Sequence, residues 1–444
     1  MNRKEAEDYI YSSYMKALPY LSYDLPDSGK RHPEYTEAII KKLYAGTPSI
    51  AVTGSKGKGS AAYILAAILG TYGRTGLMTG PHISSFNERF RIGEELITDE
   101  ELTDIVSGIK PLFDDIKPDP AKGEFVSPIG IETAIAESYF SGHETEFDIY
   151  EHGKGVRYDD VKSIPASYGI INSVFLEHTR ELGGTIEAIA GDKSHIIRAG
   201  MKGIFAGWQL DSASSVISRR AKECKVPLYL AGRDFDVSNI AFMDGGMSCT
   251  VTTKRRRYEE LRISLIGTNQ CRNLALAMAA AEDIIGERFC DSDESERRIR
   301  EALFRLEWFG RLSVIRREPL MLADCCINRA SADGAMEAIE RLAGSRAVFI
   351  LAIPDDKDYM GVAEAVSSKG YGIILTKVKN KHYRFDGIQM KELLKAGISC
   401  EYKDSLIDAM RAAKDYGYPA AVLGTTAMLP EIREALDKGE MIKV

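Results

Sequence analysis

The chain has 444 residues, which is more than one hydrophobic core ordinarily supports, so we expect two or three domains. Hydrophobic residues make up 44% and charged residues 28% of the sequence, a composition typical of an ordinary globular protein. The formal net charge of −7 leaves no basic excess to neutralise phosphates, which argues against nucleic acid as a partner.

Localisation is predicted from three features of the sequence. No segment approaches the roughly 20 uncharged apolar residues that a membrane span needs, so no membrane partner is expected. Residues 1–8 are too acidic for a signal peptide. The seven cysteines are scattered, odd in number and form no CxxC pair, which favours free thiols in a reducing compartment. We therefore expect a cytoplasmic protein.

The first part of the chain alternates strand and helix signals. The strand signals lie at 48–53, 147–150 and 168–171, and the helical signals lie at 60–72, 129–140 and 185–198. Alternation of this kind predicts a mostly parallel sheet with helices on both faces, that is, an α/β fold.

A charged stretch at 290–298 resembles a linker or the start of a surface helix, and the α/β pattern restarts after it. We predict a first domain over 1–304 and a smaller α/β domain over 305–444, with a cleft between them for two substrates. Ser331 and Asp404 are the predicted N-caps of two helices in the second domain. Its strand signals lie at 312–316, 320–324, 347–353, 371–376 and 420–424.

The strongest local signal is a glycine-rich segment between the first predicted strand and its helix. It consists of Gly54, Ser55, Lys56, Gly57, Lys58, Gly59 and Ser60. Such a P-loop-type junction turns backbone N–H groups and the positive end of a helix toward a phosphate. Lys58 can reach the terminal phosphates and Ser60 can offer a hydroxyl to Mg²⁺, although the spacing differs from a standard Walker A motif.

Two polar residues follow neighbouring strands in the chain. Glu151 comes just after the strand that contains Phe147 and Ile149, where a carboxylate enters the ligand crevice of a parallel sheet. Mg²⁺ prefers such hard oxygen donors, so Glu151 is a candidate metal ligand. His178 follows the next strand in the chain. Because it would lie at a strand end near Glu151, it is a second candidate for the same functional site.

Lys193 is an anomaly on a predicted helix. It shares a face with Ile186, Ile189 and Ile197 by helical spacing, so its amine is predicted to point inward. An inward lysine is costly unless it is paired or modified, and the alternative is a lysine whose amine reaches the edge of the core.

Two residues of the second domain are also candidates for a site. Asp324 ends a predicted strand, which would direct its carboxylate to a crevice, and Arg311 lies at the predicted domain junction, where a cation could meet phosphate.

Taken together, these segments resemble the folylpolyglutamate and dihydrofolate synthase branch of the Mur ligase superfamily. The similarity runs through nearly the whole chain in the order Gly54–Ser60 (GTNGKGS), 79–83 with 86–92 (TSPHL…FNERIRI), 151–159 (EVGLGGRLD), 176–193 (LDHT…LG…IAREK), 267–273 (GxHQxxN), 308–312 (WPGRLE) and 355–358 (SDKD).

The resemblance implies a central Mur ligase domain followed by a smaller, Rossmann-like domain. It implies an ADP-forming enzyme that uses ATP and Mg²⁺ to activate a carboxylate as an acyl phosphate, which the amine of an amino acid such as glutamate then attacks. We expect a monomer. Lys58 and the loop amides would bind phosphates, and Ser60 and Glu151 would hold one Mg²⁺, with His178 at a second metal. Lys193 would be carbamylated, as a metal ligand. Asn273, Arg311 and Asp324 would contact the nucleotide.

Several positions depart from the family pattern. The family's DGAHNP segment reads Asp324–Arg329 here without its His and Pro, Gly80 replaces a serine, and residues 127–130 lack the family's aromatic and acidic side chains. Three functions therefore remain open: a ligase that adds glutamate to a folate, a ligase that acts on another carboxylate, and an ATP-binding paralogue without catalysis.

Overall fold

The computed structural model describes residues 1–21, 27–344, 346–380 and 383–439. The chain forms two compact units. The first consists of Met1–Ser238, Val251–Glu259 and Arg272–Leu303, and the second consists of Asn239–Thr250, Glu260–Cys271 and Phe304–Val444. The sequence prediction assigned two of these segments, Asn239–Thr250 and Glu260–Cys271, to the first domain. The boundary at 304 and 305 stays a prediction.

The first unit contains an eight-stranded sheet with the order β4-β3-β2-β5-β1-β6-β7-β8. All neighbours from β2 to β8 pair in parallel, whereas β3 is antiparallel to β2 and to β4. The strands are β1 (Ser49–Thr53), β2 (Thr75–Met78), β3 (Phe90–Ile92), β4 (Glu95–Leu96), β5 (Phe147–Glu151), β6 (Tyr168–Ile171), β7 (Gly203–Ala206) and β8 (Leu228–Leu230).

Helices cover this sheet because their apolar sides bury against it. One cluster of buried residues packs α1, α2, α4 and α5 against β2, β3 and β5, and another packs α7 and α8 against β6 and β7. The helices are α1 (Arg3–Ala17), α2 (Pro33–Leu43), α3 (Lys58–Leu69), α4 (Asp99–Asp114), α5 (Pro128–Gly142), α6 (Thr179–Leu182), α7 (Ile186–Lys193) and α8 (Asp211–Cys224).

A three-stranded sheet follows in the chain, with the order β11-β10-β9. Its strands are β9 (Asp236–Met243), β10 (Gly246–Thr252) and β11 (Arg257–Ile263). Two helices come next, α9 (Thr268–Ile285) and α10 (Asp293–Phe304).

The second unit contains a six-stranded sheet with the order β12-β13-β17-β14-β15-β16, parallel except for β12. Its strands are β12 (Ser313–Arg316), β13 (Met321–Asp324), β14 (Val348–Ala352), β15 (Gly372–Leu375), β16 (Glu401–Tyr402) and β17 (Ala420–Gly424), and its helices are α11 (Arg329–Ala343), α12 (Tyr359–Ser368), α13 (Ile388–Lys395), α14 (Leu406–Asp415) and α15 (Leu429–Asp437).

The prediction of an α/β fold with two mostly parallel sheets is confirmed, but both predicted N-caps are wrong. The side chain of Asn328 caps α11 by accepting from the amide of Ser331, and the side chain of Ser405 caps α14 by accepting from Asp408. Asn328 precedes the predicted cap Ser331, and Ser405 follows the predicted cap Asp404. Both Asn328 and Ser405 have the extended backbone conformation that an N-cap residue requires. No helix within the described residues is long and apolar enough to cross a membrane.

Candidate active site

The glycine-rich segment Gly54–Ser60, called the phosphate loop below after its predicted role, forms the turn between β1 and α3 and the start of that helix, as predicted. Gly54 has a φ of +145° and Gly57 a φ of +77°, and Gly57 is the residue that precedes α3. Side chains rarely adopt these values, so glycine is required at both positions. The helix that follows has 12 residues, and no side chain caps its N-terminus, so its first N–H groups are available to a ligand. This is a suitable site for an anion.

Some side chains of the loop stabilise its conformation, and others are available to bind a ligand. Ser55 donates to the carbonyl of Phe175 at 3.2 Å and accepts from its amide at 3.1 Å, so its hydroxyl ties the loop to the segment after β6. The Lys58 ammonium donates to the Gly54 carbonyl at 3.0 Å, which keeps this cation over the loop. Lys56 is exposed, Gly59 lies in the first turn of α3, and Ser60 is buried in the same turn.

Two hydrogen-bonded asparagines, Asn172 and Asn273, pack against Gly57. The Asn172 side-chain amide donates to the Asn273 side-chain oxygen at 2.8 Å, although 101 residues separate the two. A Cβ atom added to Gly57 would lie 2.6 Å from Asn172 Nδ2 and 3.0 Å from Asn273 Oδ1. The structure therefore places Asn273, a predicted nucleotide contact, beside the phosphate loop. Asn172 was not predicted.

Lys193 is fully buried at the end of α7, with a relative exposure of 0%. Its ammonium donates to the carbonyls of Gly54 at 3.0 Å and Lys154 at 2.8 Å, and it forms an ion pair with Glu177 at 2.9 Å. Burial lowers the pKa of Lys193, and the charge of Glu177 offsets part of that effect. The inward orientation predicted from the sequence is confirmed, whereas its partner Glu177 was not predicted.

Glu151 is the last residue of β5 rather than a residue just past it. It pairs in register with Val52 of β1, so the carboxylate lies one strand from the start of the phosphate loop. Glu151 Oε2 also accepts a hydrogen bond from the amide of Gly80 at 3.2 Å. The carboxylate is thus placed between the loop after β1 and the loop after β2.

His178 precedes the short helix α6 and has a left-handed conformation with φ of +46°. Burial is the main cause that lowers the pKa of its imidazole. A neutral imidazole can act as a metal ligand. That Glu151 holds one metal ion and His178 a second, at a site shared with the ATP phosphates, stays a prediction.

No group of three or more His, Cys, Asp or Glu side chains that could hold a metal ion occurs within the described parts of the chain. The predicted ligand set is of another kind. It combines Glu151 with the Ser60 hydroxyl and phosphate oxygens, and it adds His178 and a carbamylated Lys193. Mg²⁺ commonly uses one or two carboxylates together with substrate phosphates.

Arg311 and Asp324 belong to the second unit. Asp324 ends β13, as predicted, and Asp324 Oδ1 accepts a hydrogen bond from the amide of Leu312 at 3.1 Å. Leu312 has a positive φ of +49°, so this bond helps to hold the turn that contains Arg311. The nucleotide contacts of both residues stay predictions.

Comparison with known proteins places these features in a family context. The Mur ligase middle domain family matches residues 52–281. The dihydrofolate synthase/folylpolyglutamate synthase of Bacillus subtilis is 31% identical over 328 residues, covering 72% of this chain and 74% of that protein. The folylpolyglutamate synthase of Lacticaseibacillus casei is 27% identical over 409 residues, covering 90% and 94%. A solved FPGS–AMPPCP–folate complex is 26% identical, with a TM-score of 0.81 and coverage of 98% and 100%.

Proposed function

This chain is an ATP-dependent ligase of the folylpolyglutamate synthase branch of the Mur ligase family, and we propose that it joins glutamate to the carboxylate of a folate-type acceptor. The observation that carries the proposal is the buried Lys193 ammonium on the first carbonyl of the phosphate loop. Burying a lysine next to the loop is energetically costly, and nucleotide binding alone does not require it. Relatives of this chain are folylpolyglutamate synthases, and one was solved with AMPPCP and folate.

The proposed reaction has two steps. In the first step an oxygen of the acceptor carboxylate attacks the γ-phosphorus of ATP. The bond between that phosphorus and the oxygen bridging the β- and γ-phosphates breaks, ADP departs, and an acyl phosphate forms. The amine of glutamate then attacks the carbonyl carbon, phosphate departs, and the nitrogen loses a proton to give the amide. Lys58 and the loop amides bind and neutralise the phosphates, which is where most catalysis of phosphoryl transfer arises.

The donor set suits Mg²⁺. Ser60 supplies a hard oxygen atom from the first turn of α3, and Glu151 supplies another from the end of β5, the strand next to β1. Bound there, Mg²⁺ would neutralise charge on the phosphates during transfer. His178 is the proposed ligand of a second metal.

We also propose that Lys193 is carbamylated. Burial lowers the pKa of its amine, which favours the neutral form that reacts with CO₂. The carbamate would be an anionic metal ligand. Because it would lie beside the negative charge of Glu177, a cation would then be needed between the two groups. The unmodified lysine satisfies Glu177 as an ion pair instead. A ¹³C signal from labelled bicarbonate distinguishes the two states.

A second candidate is a ligase for a non-folate carboxylate. Residues 127–130 contain no aromatic ring, and a pterin gains binding energy from stacking. A Cβ atom on Gly130 would lie 2.1 Å from Thr36 Oγ1, so this position cannot carry a side chain without rearrangement. In this case dihydropteroate and tetrahydrofolate are poor acceptors.

The test is ADP release from ATP with a panel of acceptors and amino acids. Stimulation that requires both a folate and glutamate supports the first function. Tetrahydrofolate turnover of about 1 per second or more, with a micromolar KM, excludes the second. Stimulation by another carboxylate alone favours the second, and no stimulation by any pair favours a non-catalytic paralogue.

We further propose a cytoplasmic monomer. The seven cysteines are all free thiols, which suits a reducing compartment. The net charge of −7 offers no general attraction to nucleic acid.

A further inference from the structure

The segment from Thr79 to Arg89 connects β2 to β3 on the side of Glu151 away from the phosphate loop. In the sheet, β5 lies between β1 and β2, so the ends of these three strands follow one another. The amide of Gly80 donates to Glu151 Oε2 at 3.2 Å. The glycine-rich loop after β1, Glu151 at the end of β5 and the loop after β2 therefore lie side by side along one edge of the sheet.

The side chain of Arg89 stabilises this loop through three contacts. Its Nη1 forms an ion pair with Glu132 Oε2 at 2.7 Å, and both side chains are largely buried, with exposures of 11% and 1%. Its Nε donates to His82 Nδ1 at 2.9 Å. The guanidinium also lies over the ring of Phe86, with 5.3 Å from Cζ to the ring centroid. Three contacts thus hold one guanidinium in place.

Glu88 also stabilises this loop, through hydrogen bonds to its backbone. Its carboxylate accepts hydrogen bonds from the amides of Ile83 at 2.7 Å, Ser84 at 3.1 Å and Ser85 at 3.3 Å. The backbone beside His82 is therefore fixed before any ligand binds, which is the condition for a preorganised donor.

The Arg89 contact decides the tautomer of His82. Guanidinium nitrogens only donate hydrogen bonds, so Nδ1 of His82 must accept and cannot carry a proton. The ring proton of the neutral imidazole is then on Nε2. Burial and the charge of Arg89 both lower the pKa of His82, which agrees with a neutral ring. Among the residues that the structure describes, Nε2 has no hydrogen-bond partner.

We propose that the Nε2–H group of His82 donates a hydrogen bond to the acceptor: first to its carboxylate, then to the carbonyl oxygen of the acyl phosphate. This inference rests on the proposed function and adds a catalytic residue to it. His82 forms no covalent bond and transfers no proton. It orients the carboxylate for attack on phosphorus and stabilises the negative charge that develops on the carbonyl oxygen when the amine adds. Arg89 and Glu132 are positioning residues.

Two substitutions separate this role from a structural one. In His82→Asn the side-chain group lies near the position of Nδ1, so it can accept from Arg89 but has no outward donor. In His82→Gln the amide reaches the position of Nε2 and keeps a donor there. We expect the Asn variant to lose about a hundredfold in kcat/KM for the acceptor, as for loss of one preorganised donor, and the Gln variant to lose less than about tenfold.

ATP affinity and thermal midpoint should stay unchanged in both variants. His143→Gln is the matched control, because His143 pairs with Glu101 beyond the end of α5 and should not affect kcat/KM. ¹⁵N spectra of the wild type should show Nδ1 unprotonated. A protonated Nδ1, or an Asn variant within twofold of wild type, would overturn the inference. Equal losses in both variants with a lowered thermal midpoint would also overturn it.

Failure of the proposed function would look different. It would appear in the wild type itself, as no ADP release above background with any folate and glutamate. Failure of the inference appears as an active wild type with an equally active Asn variant.

Discussion

The ammonium of Lys193 and the ammonium of Lys58 share one acceptor, the carbonyl oxygen of Gly54, each at 3.0 Å. Two cations on one carbonyl repel each other, and the charge of Lys58 contributes to the lowered pKa of Lys193. An arriving phosphate would attract Lys58 and leave Gly54 to Lys193 alone. The phosphate loop and the end of α7 are therefore coupled through a single backbone atom.

Replacing Lys193 with alanine should abolish ligation while ATP still binds, because the loop amides and Lys58 remain. Short carboxylic acids should partly restore activity if the lysine acts as a carbamate. The measurements are ADP release and ATP affinity. Lys222→Met, an exposed position on α8, is the control and should have wild-type activity. Near-normal turnover in Lys193→Ala would show that the lysine has no catalytic role.

Substitution of Glu151 or His178 by alanine should each lower kcat/KM at least about a hundredfold, since a group that holds a metal is lost. Titration with Mg²⁺ should show that both variants need a higher Mg²⁺ concentration to reach half of their maximal activity. Glu187→Ala, on the exposed side of α7, is the control. An experimental structure with the Glu151 and His178 side chains more than about 10 Å apart would contradict a shared site, because Mg²⁺–ligand distances are near 2 Å.

Gly57→Ala should weaken ATP binding by about tenfold. A left-handed residue with a side chain costs about 1–2 kcal/mol, and the new Cβ atom would press on the Asn172–Asn273 pair at 2.6 Å from Asn172 Nδ2. Calorimetric titration with AMPPCP measures the change. Gly108→Ala within α4 is the matched control, because a Cβ atom there meets nothing within 4 Å, and it should leave affinity unchanged. Equal affinities in the two variants would refute this account of the loop.

Asp148→Asn should raise the thermal midpoint at pH 8.5 and raise it much less at pH 5. Burial raises the pKa of Asp148 to about 7, above its unfolded value of about 3.9. The stability this carboxyl contributes is therefore complete below about pH 4 and is lost as the pH rises through about 7. Asparagine keeps an oxygen for Thr145, which donates to Asp148 Oδ1 at 2.6 Å, and it carries no charge. A midpoint difference that does not grow with pH would argue against a raised pKa.

Local features of the molecule were predictable from the sequence. The strand, glycine loop and helix around Gly57 form where predicted, because hydrophobic periodicity and the conformational freedom of glycine act over a few residues. The inward position of Lys193 followed from helical spacing. Strand-end carboxylates at Glu151 and Asp324 were predictable for the same reason.

Partners across the fold were decided only by the tertiary structure. Glu177 beside Lys193, Asn172 on Asn273 and Arg89 on Glu132 join segments that periodicity treats separately. Which segments meet depends on the sheet order β2-β5-β1-β6, and the local sequence pattern does not specify this order. The tautomer of His82 depends on such a partner. The sequence determines which chemical groups stand at the strand ends, whereas long-range packing determines which of them can touch.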